Sequence, residues 1–144
     1  MSESSAHSVS ARCYCGAVAL LSESAAQSVV HCHCGQCRRL SGAAFTTWVS
    51  LSKQAVRLVG TENLVAFNAT SNVQRRFCKV CGTHVYTEDQ RYPKIVGIPA
   101  GIIEGPLGRE PRAHYFVSHK AAWHTISDGL RQFGGESGVE PTTA

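Results

Sequence analysis

Apolar residues along this chain come in short runs of strand length, broken by turn-forming residues. They do not follow the sustained 3.6-residue rhythm of long helices. The runs Ala17 to Leu21, Ser28 to Cys32, Ala44 to Leu51, Ala55 to Val59 and Leu64 to Asn68 are separated by Gly, Ser, Asn and Thr signals such as Gly60-Thr61-Glu62-Asn63. Val73 to Phe77, His84 to Thr87, Ile95 to Ile98 and His114 to Val117 continue the series. Val, Thr, Phe, Tyr and Trp, whose branched or flat side chains suit a pleated surface, are frequent within them. Only Gln36 to Leu40 and the stretch from Ala121 to Leu130 have the composition of short helices. The expected class is mainly β with closely spaced turns.

Both ends read differently. MSESSAHSVS at the start is small and polar, and GGESGVEPTTA at the end is rich in Gly, Pro and Thr. They are expected to be mobile tails, 1–10 and 134–144, around a single domain at 11–133. With 43% apolar and 17% charged residues among 144, the chain can bury a real core and is not of disordered type. No apolar run approaches the roughly 20 residues needed to cross a bilayer. The start also lacks a basic segment followed by an apolar stretch, so no secretory signal is expected and a cytoplasmic location follows. Thiols are kept reduced there.

Seven cysteines then need an explanation other than disulfides. They form three groups: Cys13-Tyr14-Cys15-Gly16, Cys32-His33-Cys34-Gly35-Gln36-Cys37 and Cys78-Lys79-Val80-Cys81-Gly82. A two-residue gap allows a knuckle in which both sulfurs face one ion, and the following Gly permits the positive φ such a turn needs. A CxC pair is too short for a relaxed disulfide but can bring two thiolates to one metal. A single free cysteine is usually a small buried hydrophobe, yet three paired clusters in so short a chain point to metal. Zinc suits an all-thiolate tetrahedron without redox chemistry, and an iron–sulfur cluster is the rival reading. Seven sulfurs divide as four plus three, one closed site and one with an open position. Spacing alone does not say which groups combine.

Charge changes this picture little. The formal +4 treats every cysteine as neutral, whereas seven thiolates on two divalent ions would lower it to about +1. Arg12, Arg38, Arg39, Arg75, Arg76 and Lys79 lie near the cysteines and read as compensation for anionic clusters. There is no dense basic block, so neither nucleic acid nor membrane is an expected partner.

The segments RCYCGAVAL, HCHCGQCRRLSGAAF, FCKVCGTHVY and PRAHYFVSHKAAWHTISDGLRQF together resemble the glutathione-dependent formaldehyde-activating enzymes, which share their domain with centromere protein V. The likeness implies a tent-like, zinc-binding β fold of stacked antiparallel sheets. It further implies two zinc ions, one structural at Cys13, Cys15, Cys78 and Cys81, and one catalytic or exchangeable at Cys32, Cys34 and Cys37. The implied activity is that of a carbon–sulfur lyase resembling S-(hydroxymethyl)glutathione synthase, adding a thiol such as glutathione to a small aldehyde. Two alternatives stand beside it: a non-catalytic zinc-binding interaction module, and a zinc enzyme acting on another thiol or small electrophile. Arg131 departs from the resemblance, standing where proline is expected, which touches a turn and not the chemistry.

Few other residues invite a role. His33 sits between two candidate ligands, but in an extended CxC its ring points away from both sulfurs, which suits a supporting or core position. His31 shares its parity. His84, His114, His119 and His124 read as ordinary surface or core histidines, and Trp48 and Trp123 as core or pocket-wall aromatics. Arg38 and Arg39 follow Cys37 and can attract a carboxylate-bearing ligand. No serine–histidine–acid set stands out, and no residue is assigned a catalytic role.

Overall fold

The computed structural model describes residues 8–142, so residues 1–7 and 143–144 of the expected tails lie outside the described residues. The strands are β1 (Val9–Arg12), β2 (Ala19–Ser22), β3 (Ser28–Cys32), β4 (Thr46–Ser52), β5 (Val56–Val59), β6 (Leu64–Asn68), β7 (Val73–Cys78), β8 (His84–Asp89), β9 (Ile95–Pro99), β10 (Ile103–Glu104), β11 (Ala113–Tyr115), β12 (Arg131–Gly134) and β13 (Glu140–Pro141). One short helix, α1 (Gly35–Ser41), follows β3. The class is mainly β, as its apolar runs imply.

Four strands form a small sheet in the order β10-β1-β2-β5, and nine form a large one in the order β13-β12-β11-β3-β4-β9-β8-β7-β6. The core lies between them. Alternation on β4 and β9 sends Val49, Leu51, Val96 and Ile98 inward, where with Val29 and Val85 they meet Val9, Ala11, Val18 and Leu20 from the small-sheet side. Val49, Leu51 and Ile98 are fully buried, each worth about 1.5–3 kcal/mol of burial. The alternate residues of the large sheet, among them Val30, Trp48, Ser50 and Gly97, face the other way and line a groove.

The sheets are stacked and largely antiparallel, as the resemblance implies, with β11 running parallel to both β3 and β12. Other expectations are corrected. The strands reach past both boundaries set by composition. Val9, placed in a tail, is 4% exposed in β1, and Glu140–Pro141 pairs with β12. Residues 121–130 form no helix. Thr125, Ile126, Ser127 and Gly129 are poor helix formers, and Asp128 Oδ1 accepts from Leu130 N at 3.0 Å in a local turn. Lys120 Nζ donates to the carbonyls of Ala121 and His124, which ties this non-helical segment to its own start. The strand at His114 stops at Tyr115 because Phe116 turns left-handed, with φ of 57°. Arg131, in the place of the expected proline, opens β12 and lays its guanidinium 5.1 Å from the Phe133 ring.

Candidate metal centres

Each cysteine group is shaped by its own short turn. Cys78 ends β7, Gly82 N donates to Cys78 O at 2.8 Å, and Gly82 takes the φ of 82° that the knuckle requires. The Cys13–Cys15 segment leaves β1 through a turn closed by Cys13 N to Val18 O at 3.0 Å. The four sulfurs of Cys13, Cys15, Cys78 and Cys81 lie within 4.8 Å of one another, with Cys13–Cys15 at 3.6 Å and Cys15–Cys78 at 3.7 Å. A tetrahedron with metal–sulfur bonds of about 2.3 Å has edges of about 3.8 Å, so these spacings fit an ion of zinc's size. All four thiols are free.

Val18 N donates to Cys13 Sγ at 3.3 Å, Ala17 N to Cys15 Sγ at 3.4 Å, and Thr83 Oγ1 lies 3.2 Å from Cys81 Sγ. The Thr83 hydroxyl, first among several donors, pushes Cys81 down to about 5. Burial raises Cys13, but the Val18 N–H and the neighbouring thiols outweigh it and leave that thiol below its ordinary range. Cys15 moves the other way, up to about 12: the Ala17 N–H favours its thiolate, but burial and the neighbouring thiols outweigh it.

The second group is local. Cys34 caps α1, its sulfur accepting from Cys37 N at 3.3 Å, and the helix turn brings Cys37 back towards Cys32 at the end of β3. The three sulfurs lie within 4.8 Å of one another. Thiol hydrogen bonds from Cys32 and then Cys34 pull Cys37 down, and bonding to Cys34 and then Cys37 pushes Cys32 far above the thiol range. Trp48 Nε1 adds a donor to Cys37 Sγ at 3.4 Å, and Arg75 Nη2 another at 3.7 Å.

Arg75 is unusual. It is 3% exposed, grips Gln36 Oε1 through Nε at 3.0 Å and Nη2 at 2.7 Å, and lies 5.4 Å from the Trp48 ring centroid. No carboxylate among the described residues pairs with it. A buried cation without an acid needs another anion, and among the described residues Cys37 Sγ, 3.7 Å from Nη2, can supply one as a thiolate. The compensating role expected of Arg75 therefore has a specific site. Arg38 instead donates Nη1 to His119 O at 3.0 Å, and Arg12 pairs with Glu104 at 3.1 Å on the surface.

The sulfur-free face of β3 carries a second arrangement. His33 is completely buried, as its parity predicts, and its Nε2 lies 2.8 Å from His114 Nδ1. His114 Nε2 in turn lies 2.8 Å from Asp128 Oδ2. His31 joins His114 and Asp128 to place three ligand-type atoms within 4.8 Å. Protons can be assigned from this bonding: Asp128 accepts from His114 Nε2–H, and His114 Nδ1 accepts from His33 Nε2–H. His33 Nδ1, buried without a partner, then bears only a lone pair. A metal on His114 Nε2 would reverse the chain and strand an N–H there, so the trio serves as a clamp between β3, β11 and the 121–130 segment. Sequence reasoning passed over His114 as ordinary and did not single out Asp128. The signal that could have found it is the turn-forming Ser127-Asp128-Gly129, in a stretch expected to be helical.

Residues 8–119 match the sequence profile of the glutathione-dependent formaldehyde-activating enzymes, most of the chain and all seven cysteines. The chain belongs to that family. A Halomonas elongata protein, provisionally named a glutathione-dependent formaldehyde-activating enzyme, is 32% identical over 123 residues, covering 79% of this chain and 78% of its own. Among solved structures, a Rhodobacter sphaeroides protein matches with a TM-score of 0.56 at 24% identity, over 71% of this chain and 97% of the other. That likeness bears on the fold alone. The family match stops before Asp128, so the clamp's carboxylate lies beyond it. Both cysteine groups of this family member can hold metal ions. No helix among its described residues is long and apolar enough to cross a membrane.

Proposed function

We propose that this chain is a zinc-dependent carbon–sulfur lyase that adds a thiol such as glutathione to a small aldehyde. Two zinc ions per chain are proposed. One would sit at Cys13, Cys15, Cys78 and Cys81, and one at Cys32, Cys34 and Cys37. A reducing cytoplasmic setting suits seven free thiols. The observation that carries the reading is the incomplete three-sulfur group at the edge of a groove, backed by a buried arginine that has no acid partner among the described residues.

When bound there, zinc with three thiolates supplies an open position at which a substrate thiol gives up its proton. The protein's own residues set the conditions. Arg75 offsets the anionic group, and the Trp48 N–H and Arg75 draw density from Cys37 Sγ. The His33–His114–Asp128 clamp holds the backbone that carries Cys32 and Cys34. On the far side of α1, Arg38 and Arg39 border a hollow of 240 Å³ shared with Trp123, whose charge suits the carboxylates of a peptide thiol. The thiol sulfur forms a bond to the carbonyl carbon, the C=O π bond opens, and the proton ends on oxygen.

Cobalt substitution tests this reading. Glutathione should alter the visible spectrum of the second site alone, and S-methylglutathione should not. A spectrum that no thiol changes would leave a non-catalytic zinc module as the better account.

A further inference from the structure

The groove beside Cys32 has a volume of about 280 Å³ and is walled by Val30, Trp48, Tyr92, Ile95, Gly97 and Tyr115. Strand register orders it. Cys32 pairs with Thr46 at one end, Val30 with Trp48 comes next, and Ile95 with Ser52 lies at the other. Trp48 lies flat because β9 offers a glycine: a Cβ at Gly97 would meet Trp48 Cε3 at 3.1 Å. Among the described residues the only charged side chain on the wall is Asp89, and Arg91 holds it from Nε at 3.0 Å and Nη2 at 2.8 Å. Among the described residues no cation lines this space; Arg91 is taken up by Asp89 and Arg112 lies 6.0 Å from the Tyr115 ring, so the wall suits an apolar group better than the carboxylates of a peptide thiol. Formaldehyde is close in size to a water molecule, whose share of the liquid is about 30 Å³, and fills little of it. A larger cavity of 520 Å³ around Asn68 to Gln74 contains neither cysteine nor histidine.

We infer that the aldehyde taken by this site carries an apolar substituent, aromatic or branched, which lies along the groove from Cys32 towards Tyr92. The inference rests on the thiol-addition reading above and names its second substrate. The carbonyl carbon sits at the Cys32 end, where the thiol sulfur reaches it. The substituent covers Trp48 and Ile95 and excludes water from the new carbon–sulfur bond. Addition needs no oxidant or co-reactant: the thiol's proton and sulfur both end in the product.

The test uses the zinc-loaded protein with glutathione and compares kcat/KM for benzaldehyde and formaldehyde above the uncatalysed rate. Benzaldehyde should be preferred at least tenfold, and Tyr92→Ala and Ile95→Ala should each lower the benzaldehyde-to-formaldehyde ratio about tenfold. Tyr92 is 59% exposed, so its replacement leaves the fold in place even if Ile95→Ala does not. Quenching of Trp48 fluorescence by benzyl alcohol, an unreactive analogue, gives a second readout in a Trp123→Phe background, and should weaken in both variants. Equal or better use of formaldehyde, with a ratio indifferent to Tyr92, overturns the inference and leaves thiol addition standing. No acceleration with either aldehyde overturns the thiol-addition reading and this inference with it.

Discussion

Replacing Arg75 by methionine separates the charge of the three-sulfur group from its packing. Methionine keeps most of the length of the side chain, so the space beside Trp48 stays filled, while the guanidinium's charge and its bonds to Gln36 and Cys37 disappear. A divalent ion with three thiolates carries a net −1, and at 3% exposure Arg75 is its natural counter-charge. Removing one partner of a buried pair costs about 3–5 kcal/mol. Part of that cost is recovered because Gln36 is only half-buried and can bind water instead. A loss of about 3 kcal/mol corresponds to a rise of about a hundredfold in the dissociation constant of the second ion. The first site lacks Arg75 and should keep its affinity.

A chromophoric chelator titrated against the zinc-loaded protein reads the constants of both proposed sites from one experiment. Arg75→Lys, which keeps the charge but not the planar fork, should recover at least tenfold of the loss. If Arg75→Met holds its second ion as tightly as the parent, the thiolate group needs no counter-charge and the reasoning fails. It fails equally if lysine and methionine weaken the site to the same extent, because packing alone would then explain the effect.

Other perturbations reach different parts of the structure. Cys81→Ser should lower the melting temperature sharply while Cys34→Ser leaves a cooperative melt near the parent's, and equal losses in thermal scans would reverse the structural and exchangeable assignments. Burial, followed by the Arg75 charge, pushes His84 down to about 4 from 6.5. The unfolded chain therefore takes up this proton first, and the stability from neutral His84 is complete above pH 6.5 and lost as pH falls through 4. Urea melts across that window should show the slope, and His84→Gln should flatten it. Asp128→Ala should cost about 1–3 kcal/mol by leaving the buried His114 N–H without its acceptor. Asp128→Asn should recover part of this in the same denaturation assay.

Much of the large sheet is readable from period alone. Ser28 to Cys32 and Leu64 to Asn68 coincide with β3 and β6, since each is a compact run flanked by turn residues. The pairs β1–β10 and β12–β13 are not legible in this way. Ile103–Glu104 and Glu140–Pro141 are two-residue strands whose pairing is decided by what lies beside them, a long-range fact that local composition cannot carry. The cysteine groups were legible because spacing of two or three residues sets local geometry directly. Arg75 was visible as a nearby charge, but its isolation from any acid was not, because that depends on β7 lying beside α1. Asp128 is the clearest omission. Its partner His114 is 14 residues away, across a segment without regular structure, and no periodicity links the two.

The two cysteine groups differ most in how far apart their ligands lie in the chain. Cys13 and Cys81 are 68 residues apart, whereas Cys32 and Cys37 are separated by only five. Closing the longer loop costs roughly 2 kcal/mol more chain entropy, and the assembled sheets are what hold its two ends together. Metal at the first group is thereby tied to the whole fold. Metal at the second is tied only to a hexapeptide, which by itself is too short and too flexible to hold three sulfurs in one geometry. Its order must come from neighbours: the Cys34 cap on α1, the pairing of β3 with β4 and β11, and the His33–His114–Asp128 clamp beneath. A site rigid by its surroundings but short in sequence can change its fourth ligand without opening the domain. That combination is what a thiol-exchanging centre requires and what a purely structural knuckle does not.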